Sequence, residues 1–462
     1  MKTVCLVISL LFFNLSFSQP VSERLSKAVD QLEKDSQFAH AIISIIVLDG
    51  KTGKTVYEKN AQVGLAPASC QKIVTSAAAF ELLGKNYQYK TPVKIYRGSD
   101  SIRLFIEGSG DPTLGSWRWE ATKMATVYKN IQSALKKMNI TVLGTDIPVV
   151  ENKFDHQPIP DGWVWQDIGN YYGAGARAFN WHENQYDLVL SSGNAEGDIT
   201  IVKNFEPSSA TMTISNYINT GKKGSGDNAY IYSAPNSNTA FATGTIPPAQ
   251  DRFVISGSMP DPANVFVGGL RSYLNDNAIK IANGSNLNFL VQSKNEKSFE
   301  TIYTISSPTL DSINYWFLKK SVNLFGEAFV KTIAFEKAGI GSTDTGIAII
   351  KKFWSKKGIE TSALNIIDGS GLSPANRVTT NALASIMQYA KGQAWFASFY
   401  NALPEMNGMK MKDGYITGVR SYTGYIKTKN GTEYSFSFIA NNFDGSPGTV
   451  REKMWKVLDV LK

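Results

Sequence analysis

The stretch AIISIIVLDGKTGKTVY, residues 41–57, contains an apolar run from Ala41 to Leu48 that is followed by a turn sequence. An apolar run of this length without polar alternation is typical of a strand that is buried on both faces. The residues Asp49 to Gly53 favour a turn, and Thr55 to Tyr57 begin a returning strand. A strand pair leaves backbone groups unpaired at its edges, so we expect this pair to belong to a larger sheet.

The C-terminal part of the chain has the strands that such a sheet needs. Ser421–Ile426 and Tyr434–Asn441 are β-rich segments on either side of the turn sequence Lys429-Asn430-Gly431. The last segment, Val450–Leu461, has apolar residues at helical spacing. Further helical patterns lie at 21–38, 310–333 and 381–390. We therefore predict that the two ends of the chain form one α/β (α+β) domain, an antiparallel sheet flanked by helices.

The middle of the chain has a different character. From about Tyr87 to Lys297, short strand-like stretches alternate with Gly, Asn, Asp and Pro, which indicates a large, mainly β inserted region. A chain of 462 residues is too long for one ordinary core. The predicted organisation is a discontinuous domain of residues 19–86 and 298–462, interrupted by an insertion at 87–297.

The N-terminus predicts export. A positive start at Lys2 precedes a mostly apolar stretch from Val4 to Phe17, and we expect a signal peptide of residues 1–18 that is cleaved near Ser18 or Gln19. An uncleaved anchor helix is the alternative, but the stretch is short for a bilayer span. No later segment has the length and apolarity of a membrane span, so a periplasmic protein without a transmembrane segment is expected.

The charge pattern argues against one class of partner. The formal net charge is +8, but no run of Lys or Arg is longer than two residues. Nucleic acid is therefore not expected as a partner, whereas an anionic polymer or surface suits a basic protein. The sequence also offers no cluster of metal ligands of the usual kinds, so no metal and no cofactor are expected.

A serine hydroxyl is a weak nucleophile that needs a base, and none of the three histidines stands in a context that suggests a Ser-His-Asp triad. A neutral lysine can replace histidine if its pKa falls far enough. The spacing Ser-x-x-Lys places both side chains on one side of a helix. It occurs at Ser69/Lys72, where an Ala-rich helix opens, and at Ser133/Lys136 inside a helix. The first pair is the candidate, because free N–H groups at a helix N-terminus can stabilise an oxyanion.

Two further motifs accompany this pair, and each also has a match that we do not assign to the site. After residue 298, Ser-x-Asn occurs at Ser312/Asn314, which we assign to a helix surface, and at Ser321/Asn323. A literal Lys-Thr-Gly lies at residues 51–53 in the first turn, whereas the late strand region carries Lys412-Asp413-Gly414. Penicillin-binding proteins and β-lactamases combine Ser-x-x-Lys, Ser-x-Asn and Lys-Thr-Gly in one active site.

The context of these motifs resembles one family. KKSVNLFGEAFVKTI around Ser321, MKMKDGYITGVRSYTGYI around Lys412, DGSGLS at 368–373 with NRV at 376–378, and GDPTL at 110–114 are similar to segments of the low-molecular-weight class C penicillin-binding proteins. This is the D-Ala-D-Ala carboxypeptidase/endopeptidase family, also called peptidase family S13. The resemblance covers nearly the whole mature chain and implies a serine β-lactamase/transpeptidase-like domain with a large insertion.

The resemblance also implies roles for individual residues. Ser69 is implied to attack the peptide bond between two D-alanines of a peptidoglycan stem peptide, with Lys72 as base and β-lactams as covalent inhibitors. Ser321 is implied to relay a proton, Asn323 to position Lys72, and Lys412 to lower the pKa of Lys72. The substrate is expected to meet the segment Asp413, Gly414 and Tyr415, with an oxyanion hole at the backbone N–H groups of Ser69 and Tyr415.

One position departs from the family pattern. Asp413 stands where Thr or Ser is usual, and a carboxylate there is expected to repel the terminal carboxylate of the substrate or to pair with Lys412. Three explanations stay open: Arg420 on the same strand holds the carboxylate, the enzyme prefers cross-linked peptides, or the site is slow or silent. The competing functions are a non-catalytic peptidoglycan-binding scaffold and a β-lactamase. The sequence leaves the oligomeric state open.

Overall fold

The computed structural model describes residues 19–98, 101–208, 212–282 and 299–462. The predicted signal peptide, residues 1–18, lies outside these residues. The α-helices of the described part are α1 Val21–Glu33, α2 Lys72–Leu82, α3 Met124–Lys137, α4 Trp165–Ile168, α5 Pro262–Asp276, α6 Leu310–Lys319, α7 Asn323–Ala338, α8 Thr343–Lys356, α9 Thr380–Lys391, α10 Phe396–Ala402 and α11 Pro447–Leu458. A 3₁₀ turn at Ala68–Gln71 directly precedes α2.

The strands of both regions are short to medium in length. They are β1 Ile42–Asp49, β2 Thr55–Lys59, β3 Lys90–Arg97, β4 Ile102–Glu107, β5 Val142–Leu143, β6 Val149–Val150, β7 Gln185–Ser191, β8 Ile201–Glu206, β9 Thr213–Thr220, β10 Tyr230–Ser233, β11 Thr239–Ile246, β12 Phe253–Ser258, β13 Lys280–Ile281, β14 Phe299–Ser306, β15 Leu364–Asn365, β16 Arg377–Val378, β17 Glu405–Met406, β18 Met409–Ile416, β19 Val419–Lys427 and β20 Glu433–Asn441.

One antiparallel sheet joins the two ends of the chain. Its strand order is β17-β18-β19-β20-β1-β2, and β1 pairs with β20 along its whole length, from Ile42 opposite Asn441 to Asp49 opposite Tyr434. The predicted sharing of one sheet by the N-terminal and C-terminal strands is therefore confirmed. Six consecutive residues of β1 are buried, which explains why this strand shows no polar alternation.

Helices cover both faces of this sheet. On one face, α1 and α11 pack against the strands through a core that includes Leu25, Val29 and Met454. On the other face, α2 lies among α6, α7, α8 and α9 in a separate core that includes Ile73 and Phe325. The 3₁₀ turn before α2 contacts β18 and β19, so the start of α2 lies directly at the sheet.

The inserted region builds its own sheets around α3 and α5. A four-stranded sheet has the order β14-β3-β4-β6, and two three-stranded sheets have the orders β12-β7-β8 and β10-β11-β9. Their inner faces share one core with both helices, through residues such as Ile131 and Phe266. The mainly β character predicted for this region is confirmed. The division into domains stays a proposal, and the pairing of β14 with β3 favours an end of the insertion after Ser306 rather than at 297.

Several helices were not predicted from the sequence, among them α5 and α8. Helix α5 begins at a proline, and the Asp261 side chain accepts a hydrogen bond from the backbone N–H of Asn264. Helix α8 begins after Ser342, whose side chain caps it in the same way. Both caps are start signals that the sequence carries. Among the described residues, no helix combines the length and apolarity needed to span a membrane.

The burial of β1 gives a test of this architecture. Ile45 is fully buried between the sheet and α1, whereas Ile42 on the same strand is 47% exposed. Ile45→Ala should lower the free energy of unfolding by about 2–5 kcal/mol because it leaves a cavity in a packed core. The matched variant Ile42→Ala should lower it by less than about 1 kcal/mol. Equilibrium urea unfolding measures both changes, and equal losses would contradict a central position for β1.

Candidate active site

Ser69 lines a cavity of about 1110 Å³ that lies between the two regions of the chain. It belongs to the 3₁₀ turn rather than to α2, which begins three residues later at Lys72. The preceding residue, Ala68, has a left-handed backbone with φ 45°. Such a conformation costs about 1–3 kcal/mol and persists only where the surroundings enforce it. The turn therefore holds Ser69 in a defined place before the helix starts.

The amine of Lys72 is the centre of the site. Its Nζ lies 2.8 Å from Ser69 Oγ, 2.7 Å from Asn323 Oδ1 and 2.8 Å from the backbone oxygen of Ser370. The whole residue is buried, with no exposed surface. Two of its three partners are carbonyl-type oxygens that only accept hydrogen bonds, whereas a hydroxyl can also donate.

Burial and a neighbouring cation change the titration of this amine. Desolvation, followed by the positive charge of Lys412, lowers the pKa of Lys72 to about 7. Near neutral pH a large fraction of Lys72 is therefore neutral, with two N–H groups and one lone pair. If the N–H groups go to Asn323 and Ser370, the lone pair remains for the hydrogen of Ser69 Oγ. This geometry suits proton abstraction from the serine.

Asn323 is held from both ends of its amide. The Nδ2 group donates to the backbone oxygen of Tyr172 at 2.7 Å, which leaves Oδ1 to face Lys72. Asn323 is the first residue of α7, and Ser321 lies just before that helix with a left-handed backbone, φ 58°. Both residues line the cavity together with Ser69. The structure thus brings Ser69, Lys72, Ser321 and Asn323 together.

The motif matches that we did not assign to the site lie away from the cavity. Ser133 and Lys136 lie inside a helix, as predicted, and on the exposed side of it. Thr52 belongs to the turn after β1, where its N–H and hydroxyl both bond to Asp49. The assignment of Ser312 and Asn314 to a helix surface was wrong for Asn314, which is completely buried in α6. This side of α6 packs against α2 and α7, which the local sequence pattern did not indicate.

Strand β18 passes close to the nucleophile at Gly414. A side-chain carbon at this position would lie 2.8 Å from the backbone nitrogen of Ser69 and 2.6 Å from the backbone oxygen of Pro67. Only glycine therefore allows the strand to approach the turn this closely. The next residue, Tyr415, is 48% exposed and lines the cavity.

Lys412 is buried and bonded to its neighbour in sequence. Its Nζ donates to the backbone oxygen of Asp413 at 2.7 Å and to Oδ1 at 2.9 Å. Burial alone would raise the pKa of the Asp413 carboxyl, but the Lys412 ammonium holds it below its ordinary value. Asp413 is thus ionised and paired. Strand alternation places its side chain on the face opposite to Gly414, and it does not line the cavity.

Arg420 was predicted on the same strand as Lys412, and this was wrong. It lies on β19, directly opposite Tyr415 of β18. The turn between the two strands falls at Thr417 and Gly418, inside a stretch that reads as continuous β sequence. The Arg420 Nε group donates to the hydroxyl of Tyr422 at 2.9 Å, and Arg420 is not among the residues that line the cavity.

Sequence reasoning missed the loop that closes the site behind Lys72. Asp368 accepts bonds from five donors, among them Gln71 Nε2 at 2.8 Å and Trp163 Nε1 at 3.0 Å; the others are Gly371 N, Ser373 N and Asn376 Nδ2. The carboxylate holds the loop so that Ser370 presents its oxygen to Lys72. The sequence carries a signal for this loop, because the DGSGLS segment resembles a segment of the family.

Glu327 is a second missed residue. It lies one turn into α7, fully buried, and accepts a bond from the backbone N–H of Gly369 at 2.9 Å. Burial, together with the nearby Asp368 carboxylate, raises the pKa of Glu327 well above its ordinary value. Cys70, the residue after Ser69, is buried, and burial raises the pKa of its thiol to about 11, so it packs rather than reacts.

Comparisons with known proteins agree with this site. The model of the D-Ala-D-Ala carboxypeptidase 3 (S13) family matches residues 25–460. The chain is 26% identical to a D-alanyl-D-alanine carboxypeptidase of Actinomadura sp. (strain R39), over 91% of this chain and 81% of that protein. It is 25% identical to penicillin-sensitive carboxypeptidase A of Dictyostelium discoideum, over 84% of this chain and 80% of the relative.

The fold is also found among solved structures. Penicillin binding protein 4 (dacB) from Haemophilus influenzae superposes with a TM-score of 0.74 at 18% identity, over 91% of this chain and 94% of that one. This likeness supports the transpeptidase-like fold with its β-rich insertion. The family match over nearly the whole chain establishes that the chain belongs to the D-Ala-D-Ala carboxypeptidase 3 (S13) family and is a serine-type peptidase.

Proposed function

We propose that Ser69 is the nucleophile and Lys72 the base of a D-Ala-D-Ala carboxypeptidase that acts on peptidoglycan stem peptides. The observation that carries this proposal is the bonding of the Lys72 amine. Two acceptors, Asn323 Oδ1 and the Ser370 oxygen, occupy its N–H groups and leave its lone pair facing Ser69 Oγ. A pKa near 7 supplies the neutral form that this role needs.

The reaction follows from these positions. Ser69 Oγ attacks the carbonyl carbon between the two D-alanines while its proton moves to Lys72. The C–N bond then breaks, the departing D-alanine amine takes the proton from Lys72 by way of Ser321, and an acyl-enzyme remains. Water attacks this ester and releases the shortened peptide. A β-lactam carbonyl enters the same first step, so β-lactams are expected to acylate Ser69.

Negative charge develops on the carbonyl oxygen during the attack, and hydrogen-bond donors that are already in place stabilise it. The backbone N–H groups of Ser69 and Tyr415 are the proposed oxyanion hole. The close approach of β18 at Gly414 supports this assignment, because it brings the strand that carries Tyr415 against the turn that carries Ser69. Asn323 is proposed to position Lys72 and to meet the substrate amide.

The residues predicted to bind the substrate are Asp413, Gly414, Tyr415 and Arg420, next to the catalytic Lys412. The charges of Lys412 and Arg420 already interact with other groups of the protein. Lys412 pairs with Asp413, and Arg420 lies over the rings of Tyr415 and Tyr422. A substrate without a free terminal carboxylate therefore loses little binding free energy at such a site. We therefore propose that the chain also cleaves cross-linked peptides, as a DD-endopeptidase. The segment 1–18 is proposed to direct export to the periplasm, where peptidoglycan lies.

The variant Ser69→Ala tests the nucleophile. The unchanged chain should bind a fluorescent penicillin covalently and remove one D-alanine from a muropeptide that ends in D-Ala-D-Ala, and Ser69→Ala should lose both by at least about 1000-fold. Ser133→Ala is the matched control and should change neither. Mass spectrometry of the labelled protein and of the muropeptides gives the readout. Labelling that persists in Ser69→Ala would exclude this nucleophile.

Binding to sacculi and the lifetime of the penicillin adduct separate the competing functions. Binding to sacculi without acylation of the unchanged chain would favour a scaffold. Rapid turnover of penicillin, instead of a persistent adduct, would favour a β-lactamase.

The pKa of Lys72 predicts the pH dependence of acylation. The amine works only when neutral, so the second-order rate constant with penicillin should rise with pH, reach half its plateau near pH 7 and level off above about pH 8. Stopped-flow acylation between pH 5.5 and 9 measures this profile. Lys72→Arg keeps a positive charge throughout this range and should not acylate at any pH. A flat profile of the unchanged chain would show that Lys72 is not the base.

The pair of Lys412 and Asp413 predicts an effect on substrate choice. Asp413→Thr releases the Lys412 ammonium for a terminal carboxylate, so kcat/KM for a pentapeptide should rise about 5- to 10-fold, the equivalent of about 1 kcal/mol for a partly exposed pair. Cleavage of a cross-linked dimer should change little. Asp413→Asn removes only the charge and should give a similar rise, measured by chromatography of both products. No rise in either variant would show that Lys412 does not bind the carboxylate.

A further inference from the structure

The sheet β10-β11-β9 of the insertion has one buried and one exposed face. The buried face carries small and aliphatic residues that belong to the core of the insertion, among them Ile218, Ile231 and Ala242. The opposite face carries four aromatic rings: Tyr217, Tyr230, Tyr232 and Phe241. We refer to these four residues as the aromatic face. A group of exposed rings of this size on a protein surface usually marks a binding site.

The register of the strands groups these rings. Tyr232 pairs with Phe241 across β10 and β11, and their rings stack at 4.9 Å with an angle of 9°. In the next row Tyr230 and Tyr217 flank Thr243 from both sides. Tyr217 is 64% exposed and Phe241 is 37% exposed, so the rings are open to a ligand.

The aromatic face continues into the active-site cavity. Tyr230 and Tyr232 line the cavity that holds Ser69, and Trp165 of α4 lines it as well. The Trp165 ring is half exposed and lies 6.0 Å from that of Tyr232. A row of rings therefore leads from the cavity across Tyr232 to Phe241. A ligand in the cavity that extends in this direction would reach the aromatic face.

The remaining residues of this face are polar and uncharged. They share short hydroxyl or amide side chains between the rings: Thr213, Ser215, Asn219, Thr239, Thr243 and Thr245. A nucleic acid would require basic side chains here, which these strands lack. Pyranose rings present both C–H groups, which suit the electronegative face of an aromatic ring, and hydroxyl or amide groups that bond to short polar side chains.

We propose that the aromatic face binds the amino-sugar glycan strand of peptidoglycan while a stem peptide attached to that strand occupies the cavity. This inference rests on the proposed function, which supplies the polymer. An extended stem peptide of four or five residues spans about 13–18 Å at ~3.3–3.6 Å per residue. The glycan at its far end therefore lies beside the cavity rather than in it. The aromatic face is uncharged and adjoins the cavity, as this ligand requires.

The double variant Tyr217→Ala/Phe241→Ala tests the proposal without replacing a residue that lines the cavity. The probe is a glycan strand freed of stem peptides by an amidase, and retention of the purified chain on immobilised strands gives the affinity. The double variant should bind about tenfold more weakly or worse. Tyr315→Ala removes a similarly exposed ring from α6 and should bind like the unchanged chain.

Two further measurements keep the outcome clear. Acylation of Ser69 by penicillin and cleavage of a free pentapeptide should stay unchanged in the double variant, which shows that it is folded. If the unchanged chain lacked these activities, the proposed function would be overturned. The result of the glycan-retention measurement would not be affected. An unchanged chain that is not retained, or a double variant that is retained equally, would overturn the glycan surface. The glycan surface would also be overturned if the double variant only converted a dimer of the chain into a monomer in sedimentation. In that case the aromatic face would bind a second copy of the chain.

Discussion

The Lys72 amine lies in the interior of the protein and is bonded by groups from three separate segments. Transferring a charged ammonium into such surroundings is costly, so the protein lowers the pKa of the amine rather than compensating the charge with a direct carboxylate partner. The nearest bonds come from the turn at Ser69, the start of α7 at Asn323 and the loop at Ser370. The packing of these segments against α2 is thus the constraint from which the chemistry of the site follows.

The insertion contributes to the packing around Lys72. The backbone of Tyr172 accepts the bond that orients Asn323, and the indole of Trp163 donates to Asp368 in the loop behind Lys72. Both contacts come from the inserted region and reach groups that touch or support the amine. The insertion therefore helps to build the site in addition to forming one wall of the cavity, and its sheets extend the surface that a polymer substrate can meet.

Local sequence patterns predicted the elements that depend on local physics. The apolar run of β1, the turn at Asn430 and the helix α11 have side-chain periods or turn residues that need no distant partner to be recognised. The patterns failed where a distant segment decides the environment. Asn314 is buried because α6 packs between other helices, and Arg420 lies on β19 because the chain reverses within a continuous β stretch.

The sequence by itself determined the order and spacing of the motifs, the separation of three residues between Ser69 and Lys72, and the glycine that lets β18 approach. Burial of Lys72 was decided only by the tertiary structure, as were the hydrogen bonds that Asn323 and Ser370 make to its amine and the turning of Asp413 away from the cavity. The reason is physical: a pKa and a hydrogen bond depend on distance and solvent access, and Lys72 and Asn323 are 251 positions apart in the chain.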